Sequence, residues 1–167
     1  MKNPFAHREE APKEEPNDST ASVETIYRLD WDRAYPQSLD RVWNAISNAD
    51  EITAWMKFPT QLEPRVGGKV HIEFSAEGSL EGIVCNFEPP QLLIYTWGDS
   101  LVNWKLEGNA AETRLHFSHV GVRPELAAGL GAGWHAFLDQ LEDHLSGNSR
   151  PARYRELKAR YENAAKL

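Results

Sequence analysis

The chain is poor in cysteine and in long apolar runs, and each shortage excludes a class of protein. Among its 167 residues Cys85 is the single cysteine, so no internal disulfide can form. A lone cysteine in a strand pattern is typically buried, and we expect that of Cys85 in a reducing, cytoplasmic setting. No apolar run of about eighteen residues occurs and the N-terminus has no apolar core, so we expect neither a membrane span nor a signal peptide.

Basic charge is also scarce in most of the chain. Residues 23–149 carry nine basic and eighteen acidic side chains, which argues against a nucleic-acid or anionic-membrane partner. Residues 150–167 reverse the balance with six basic and two acidic side chains. Such a tail is either a patch for an anionic partner or a solvated helix face, and we favour the solvated face.

Motifs for catalysis, metals and cofactors are missing too. The segment GLGAGW at residues 129–134 has tryptophan where a dinucleotide fingerprint needs its third glycine. His116 and His119 lie three apart in a strand pattern, and His135 and His144 nine apart in a helix pattern, so each pair points to opposite sides. We therefore expect no metal site, no cofactor and no catalytic residue.

The strongest positive signal is an amphipathic helix over residues 133–145. Its apolar positions recur at offsets of three and four and are Trp134, Phe137, Leu138, Leu141 and Leu145. Its polar face carries His135, Asp139, Glu142 and Asp143. Because glycine disfavours helix at positions 129, 131 and 133, we expect the regular helix to begin only near Ala132 and to end at Gly147.

Short elements precede this helix. Alternation over residues 24–35 predicts a first strand, and Ser38 is a plausible N-cap for a short helix followed by a second at residues 49–55. Five further strands are predicted, and short turns between them indicate an antiparallel meander. They contain Val66, Val70, Ile72 and Phe74; then Ile83, Cys85 and Phe87; and then residues 92–97, 101–107 and 113–120.

Three regions follow from these patterns. Residues 1–22 are charged and proline-containing and predict a disordered leader, residues 23–147 a single folded domain, and residues 148–167 a basic helical tail. In the tail, Tyr154, Leu157 and Tyr161 form a narrow apolar stripe that we expect to dock on the domain or on a second subunit, so a homodimer is possible.

The order of these elements resembles the SRPBCC, or START/Bet v 1-like, superfamily, and more specifically the bacterial branch related to the C-terminal domain of the activator of Hsp90 ATPase. The residues that carry the resemblance are Pro36, Val42, Trp43, Trp55, Gly67, Gly68, Gly82, Pro89, Pro90, His119, Gly121, Gly133, Trp134, Leu138 and Leu141. The resemblance covers Ile26 to about Ser146.

The resemblance implies an α+β helix-grip fold, in which a curved antiparallel sheet wraps a long C-terminal helix and two short helices follow the first strand. It also implies a cavity for a small hydrophobic or amphipathic molecule between sheet and helix. We expect a binding protein rather than an enzyme. The alternatives are a cyclase, lyase or hydrolase that uses the same pocket, and a co-chaperone-like module, although the short leader gives no support for an Hsp90 partner.

Eight residues are predicted to line that cavity. His119 shares strand parity with Leu115 and Phe117 and should point inward near the strand end, as a polar anchor for a ligand, as the acid or base of an enzyme, or as a hydrogen-bonded core residue. The other candidates are large apolar side chains on the same inner faces. The full set is Trp55, Trp97, Trp104, Phe117, His119, Trp134, Phe137 and Leu141.

Overall fold

The computed structural model describes residues 24–76 and 78–164, so the predicted leader and residues 165–167 lie outside it. No helix within these ranges is both long and apolar enough to cross a bilayer. The described residues form seven strands and four helices. In chain order they are β1 (Tyr27–Tyr35), α1 (Leu39–Ser47), α2 (Ala49–Met56), β2 (Thr60–Leu62), β3 (Lys69–Ser75), β4 (Gly78–Glu88), β5 (Leu92–Trp97), β6 (Ser100–Gly108), β7 (Thr113–Val122), α3 (Pro124–Ser146) and α4 (Tyr154–Ala164).

The strands form one curved antiparallel sheet in the order β1-β7-β6-β5-β4-β3-β2, and α3 packs on its inner face. This confirms the predicted helix-grip architecture. The register pairs Trp104 of β6 with Phe117 of β7, and both side chains point toward Trp134 of α3. The predicted stripe of α3 also holds, since Leu138 and Leu141 are fully buried in the same core.

Two polar side chains fix where the short helices begin. Ser38 accepts a hydrogen bond from the backbone N of Arg41, and Asn48 accepts from the first turn of α2. Each satisfies a backbone donor that a helix start leaves unpaired. The predicted N-cap at Ser38 is thereby confirmed.

Strand β4 corrects the prediction for Cys85. We expected Cys85 to be buried in a strand where it alternates with polar residues as Ile83 and Phe87 do, yet Ile83 and Cys85 are exposed. The register of β4 against β5 shifts between Val84 and Asn86, so a bulge changes the parity of the strand there. Val84 is therefore buried before the bulge and Phe87 packs on the core after it.

Two further differences lie before β4. Strand β2 was not predicted, because three residues are too few to show an alternating pattern. Val66 was placed in the strand that follows, but it is 61% exposed and precedes β3.

Helix α3 begins at Pro124, which corrects the expected start near Ala132. The helix contains three glycines in this stretch, and one of them, Gly131, allows α4 to approach closely. A Cβ at Gly131 would lie 2.8 Å from two ring carbons of Tyr161 in α4, whereas one at Gly129 would meet nothing within 4 Å. Glycine at position 131 therefore lowers the local helix propensity, but its missing side chain leaves room for α4 to pack on α3.

The predicted polar face of α3 is only partly exposed to solvent. Asp139 and Asp143 are buried, and Arg150 contacts both, at 3.5 Å and 2.8 Å. Arg153 adds a second contact to Asp139 at 3.5 Å. Arg150 and Arg153 thus neutralise the acidic side of α3, whereas Arg155, Lys158 and Arg160 of α4 are exposed, as expected of a solvated face.

The tail docks mainly through one residue of its predicted stripe. Leu157 is fully buried against Ala132 and Ala136 of α3, and Tyr161 packs beside it. Tyr154, the third residue of that stripe, remains 44% exposed.

Two glycine substitutions should have opposite effects on stability. We expect Gly129→Ala to raise the free energy of unfolding by about 0.5–1 kcal/mol, since alanine is the better helix former and the position is open. Gly131→Ala should instead lower it, because the new methyl group displaces the Tyr161 ring. Urea unfolding of both variants measures the difference.

The matched control is the same pair of substitutions in a Tyr161→Ala background. There the obstacle at Gly131 is absent, and both alanines should stabilise the helix alike. Equal effects of the two alanines in the wild-type background would show that the close approach of Tyr161 carries no cost.

Candidate functional site

The centre of the sheet-helix interface is filled by aromatic side chains. Phe117 lies with its ring centroid 4.6 Å from that of Trp104 and 4.4 Å from that of Trp134. Trp55 packs edge-on against Trp104 and donates its indole N–H to the carbonyl of Ala45 at 2.8 Å. Side chains in such contact leave no space between them for a ligand, so this centre is core.

Open space lies at one end of that interface. A pocket of about 510 Å³, here called the aromatic pocket, is bounded by the first half of α3, the residues that follow α2, and the ends of β3 and β5. Its volume falls within the range typical of small-molecule sites, about 300–1,000 Å³. Its main walls are Phe58, Phe74, Trp97, Leu130, Trp134 and Phe137.

Five of these walls form a closed circuit of ring contacts. Phe58 meets Phe74 at 5.2 Å between centroids, and Phe74 meets Trp97 at 5.8 Å. Trp97 continues to Trp134 at 4.8 Å, Trp134 to Phe137 at 5.7 Å, and Phe137 back to Phe58 at 6.1 Å. Since each ring is held by two others, the walls keep their shape without a ligand.

His119 supports this circuit from behind. The indole N–H of Trp134 donates to His119 Nδ1 at 2.9 Å, and His119 Nε2 lies 2.6 Å from the hydroxyl of Ser100. That hydroxyl donates to the carbonyl of Trp97 at 2.6 Å. Nδ1 therefore accepts, Nε2 carries the proton, and one histidine links the two tryptophans that wall the pocket.

The His119 ring is neutral. Burial lowers its pKa from 6.5 to about 4, because the imidazolium would lose its hydration inside the fold. Full burial and two engaged nitrogens leave no free atom for a ligand or a proton transfer. The inward orientation expected from strand parity is confirmed, and of the roles considered for His119 the geometry favours the hydrogen-bonded core residue.

The eight predicted site residues separate into two groups. Trp97, Trp134 and Phe137 line the aromatic pocket. The others lie behind it in the core or, for Trp55, beside a neighbouring groove, and none of these lines the pocket. They are Trp55, Trp104, Phe117, His119 and Leu141.

Sequence reasoning missed three of the walls. Phe58 lies in an irregular segment before Pro59, where no periodicity assigns it to a face. Phe74 was assigned to a strand and Leu130 to a weak helix start, and neither pattern showed that the two approach each other. The glycines at 129 and 133, which line the same space, were the one available signal of room beside α3.

A second depression adjoins the aromatic pocket. This polar groove, about 530 Å³, runs between the end of α2, the second half of α3 and the segment 147–153. Lys57, Ala136 and Gln140 line both depressions, so they are continuous. Most charged groups of the groove are paired, as Asp143 is with Arg150 at 2.8 Å and His144 with Glu51 at 2.7 Å.

Comparisons with known proteins agree on the fold. A model of the family described as "Activator of Hsp90 ATPase homolog 1-like protein" matches residues 36–146. A search of curated proteins gives no match.

Three solved structures illustrate the likeness. A conserved protein of unknown function from Enterococcus faecalis has a TM-score of 0.73 and 17% identity, over 89% of this chain and 93% of that one. A Mesorhizobium loti protein scores 0.67 at 24% identity, over 74% and 100%. CalU16 from Micromonospora echinospora scores 0.69 at 20% identity, over 84% and 87%. At such identities the likeness concerns the fold alone.

The buried neutral histidine makes stability depend on pH. Between pH 6.5 and about 4 the unfolded chain binds a proton at His119 that the folded chain does not, so the free energy of unfolding falls as the pH falls through this window. Across this pH window the free energy of unfolding falls by an amount on the order of 3 kcal/mol. Urea unfolding at several pH values measures it.

His119→Gln provides the comparison, because an amide can accept from the indole and donate to the hydroxyl without titrating. We expect this variant to lose most of the slope and the exposed His116→Gln to retain it. A wild-type slope that persists in His119→Gln would assign the pH dependence to other groups.

Proposed function

Because the chain belongs to the activator of Hsp90 ATPase homolog 1-like family, whose members share the SRPBCC fold, we propose that it binds a small apolar molecule in the aromatic pocket. The observation that supports this most directly is the circuit of five aromatic rings around an open space. A collapsed core would have brought these rings onto one another across the gap.

The pocket is suited to an aromatic or aliphatic body. Removing apolar surface from water contributes about 25 cal/mol per Å², so a ligand that buries roughly 200 Å² gains on the order of 5 kcal/mol before ordering costs. Flat rings can also stack on Trp97 and on Trp134, whose indole is held by its hydrogen bond to His119. Micromolar binding corresponds to about 8 kcal/mol, so ring stacking and polar contacts must supply the remainder.

The arrangement favours binding over acid–base catalysis. His119, the candidate acid or base, is buried, neutral and engaged at both ring nitrogens. A general acid or base must reach the proton it transfers, within about 3 Å or through one water. A cyclase, lyase or hydrolase reaction in this pocket would therefore have to use a group other than His119.

A neutral fluorescent probe tests the proposal. We expect N-phenyl-1-naphthylamine to bind the wild-type protein at one site with increased emission. Gly129→Leu should weaken this binding by about tenfold or more, because position 129 lines the pocket and has open space into which the new side chain can extend. Fluorescence titration gives the dissociation constant for each protein.

Ala128→Leu is the matched control, one residue away on the same helix and outside the pocket lining. It should bind the probe like the wild type, and thermal melts should show both variants folded. If a folded Gly129→Leu binds as tightly as the wild type, the aromatic pocket is not the binding site.

A further inference from the structure

The aromatic pocket has one charged residue in its lining, Lys57. Resting on the function proposed above, we propose that the natural ligand is an acid, with an apolar body among the aromatic rings and a carboxylate or similar anionic end paired with the Lys57 ammonium. The position of Lys57 supports this, since it lies where the aromatic pocket meets the polar groove. An amphipathic ligand with its body in the pocket would bring its end to that boundary.

Lys57 is available for a ligand. The other charged side chains that line the groove all have ion-pair partners: Asp139, Asp143, His144, Arg150 and Arg153. Within the described residues Lys57 has none. An incoming anion would therefore complete a pair here, whereas elsewhere in the groove it would have to displace a carboxylate.

The backbone at Lys57 is a second, independent observation. Lys57 closes helix α2 with φ of 66° and ψ of 20°, and among the described residues it is the one non-glycine residue with positive φ. Glycine usually occupies such a helix end because a Cβ is disfavoured there. Because glycine would adopt this conformation without strain, a lysine here indicates that its side chain has a function. Its position in the lining of an apolar pocket suggests that this function is to bind an anion.

The same lining residues disfavour a positively charged ligand. A ligand ammonium would meet Lys57 at close range with no carboxylate in the aromatic pocket to offset it. A neutral ligand would gain the apolar contacts but no charge pairing. The structure therefore predicts the affinity order acid, then neutral isostere, then amine.

The experiment compares three probes of one shape: 2-naphthoate, 2-naphthamide and 2-naphthylmethylamine. Isothermal titration of the full chain at pH 7.5 and low salt should show the acid binding about fivefold or more tightly than the amide, and the amine most weakly. Lys57→Gln should remove the preference for the acid, and Lys57→Arg should keep it. Lys105→Gln, on an exposed sheet position, is the matched control and should bind like the wild type.

A stability measurement separates the side chain from the backbone. Lys57→Gly should melt at a higher temperature than the wild type, because glycine relieves the left-handed conformation, while it loses the preference for the acid. A variant that is more stable yet less selective cannot owe its binding defect to misfolding.

The possible failures are distinguishable. Equal affinities for acid and amide, both abolished by Gly129→Leu, would overturn the role of Lys57 and leave the apolar site in place. A preference for the acid that survives Lys57→Gln would likewise overturn it. Binding of all three probes that is unaffected by Gly129→Leu would overturn the apolar site as well.

Discussion

A buried indole that must find an acceptor is the constraint on which the rest of the site depends. Trp134 is almost fully buried and its ring contacts five other aromatic or imidazole rings. Its N–H would cost about 1–3 kcal/mol if it were left unpaired in that environment. His119 supplies the acceptor, and it can do so only as a neutral ring whose other nitrogen donates to Ser100. One hydrogen bond thus dictates the protonation state of the histidine.

The same hydrogen bond separates core from pocket. On one side of Trp134 the rings of Trp104 and Phe117 fill the space, and on the other side Trp97 and Phe137 line the open pocket. Because the indole cannot rotate without breaking its bond to His119, it cannot close the gap beside it. A polar contact deep in the core therefore maintains an apolar space near the surface.

Sequence patterns predicted the elements well and the site only partly, for physical reasons that particular residues illustrate. Period and capping are local properties, so α1, β5 and the inward face of β7 followed from the chain itself. Cys85 was wrongly predicted to be buried, because the alternating sequence pattern gives no sign of the bulge that changes the parity of the strand there. Phe58 and Leu130 were missed because they become neighbours only through the way that distant segments pack.

Helix α3 shows the same limit in its charges. Asp139 and Asp143 have the spacing of a solvated face, and only the return of the tail through Arg150 makes them buried. Gly131 has the signature of a weak helix start, and only the approach of Tyr161 explains it. In both cases the residue is explained by a partner seven or more residues away, which a local pattern does not reveal.

Polar groups near a binding site differ in whether their hydrogen bonds and charges are already used. His119 points toward the pocket walls and titrates in the right range when free, which made it the obvious polar anchor in the sequence. Both of its nitrogens are hydrogen-bonded, one of them to Trp134, so neither is free to bind a ligand. Lys57, at the end of α2, lines the pocket and has no ion-pair partner among the described residues, and no sequence pattern singles it out. The polar end of the proposed ligand would therefore be recognised by a residue in a loop rather than in the sheet.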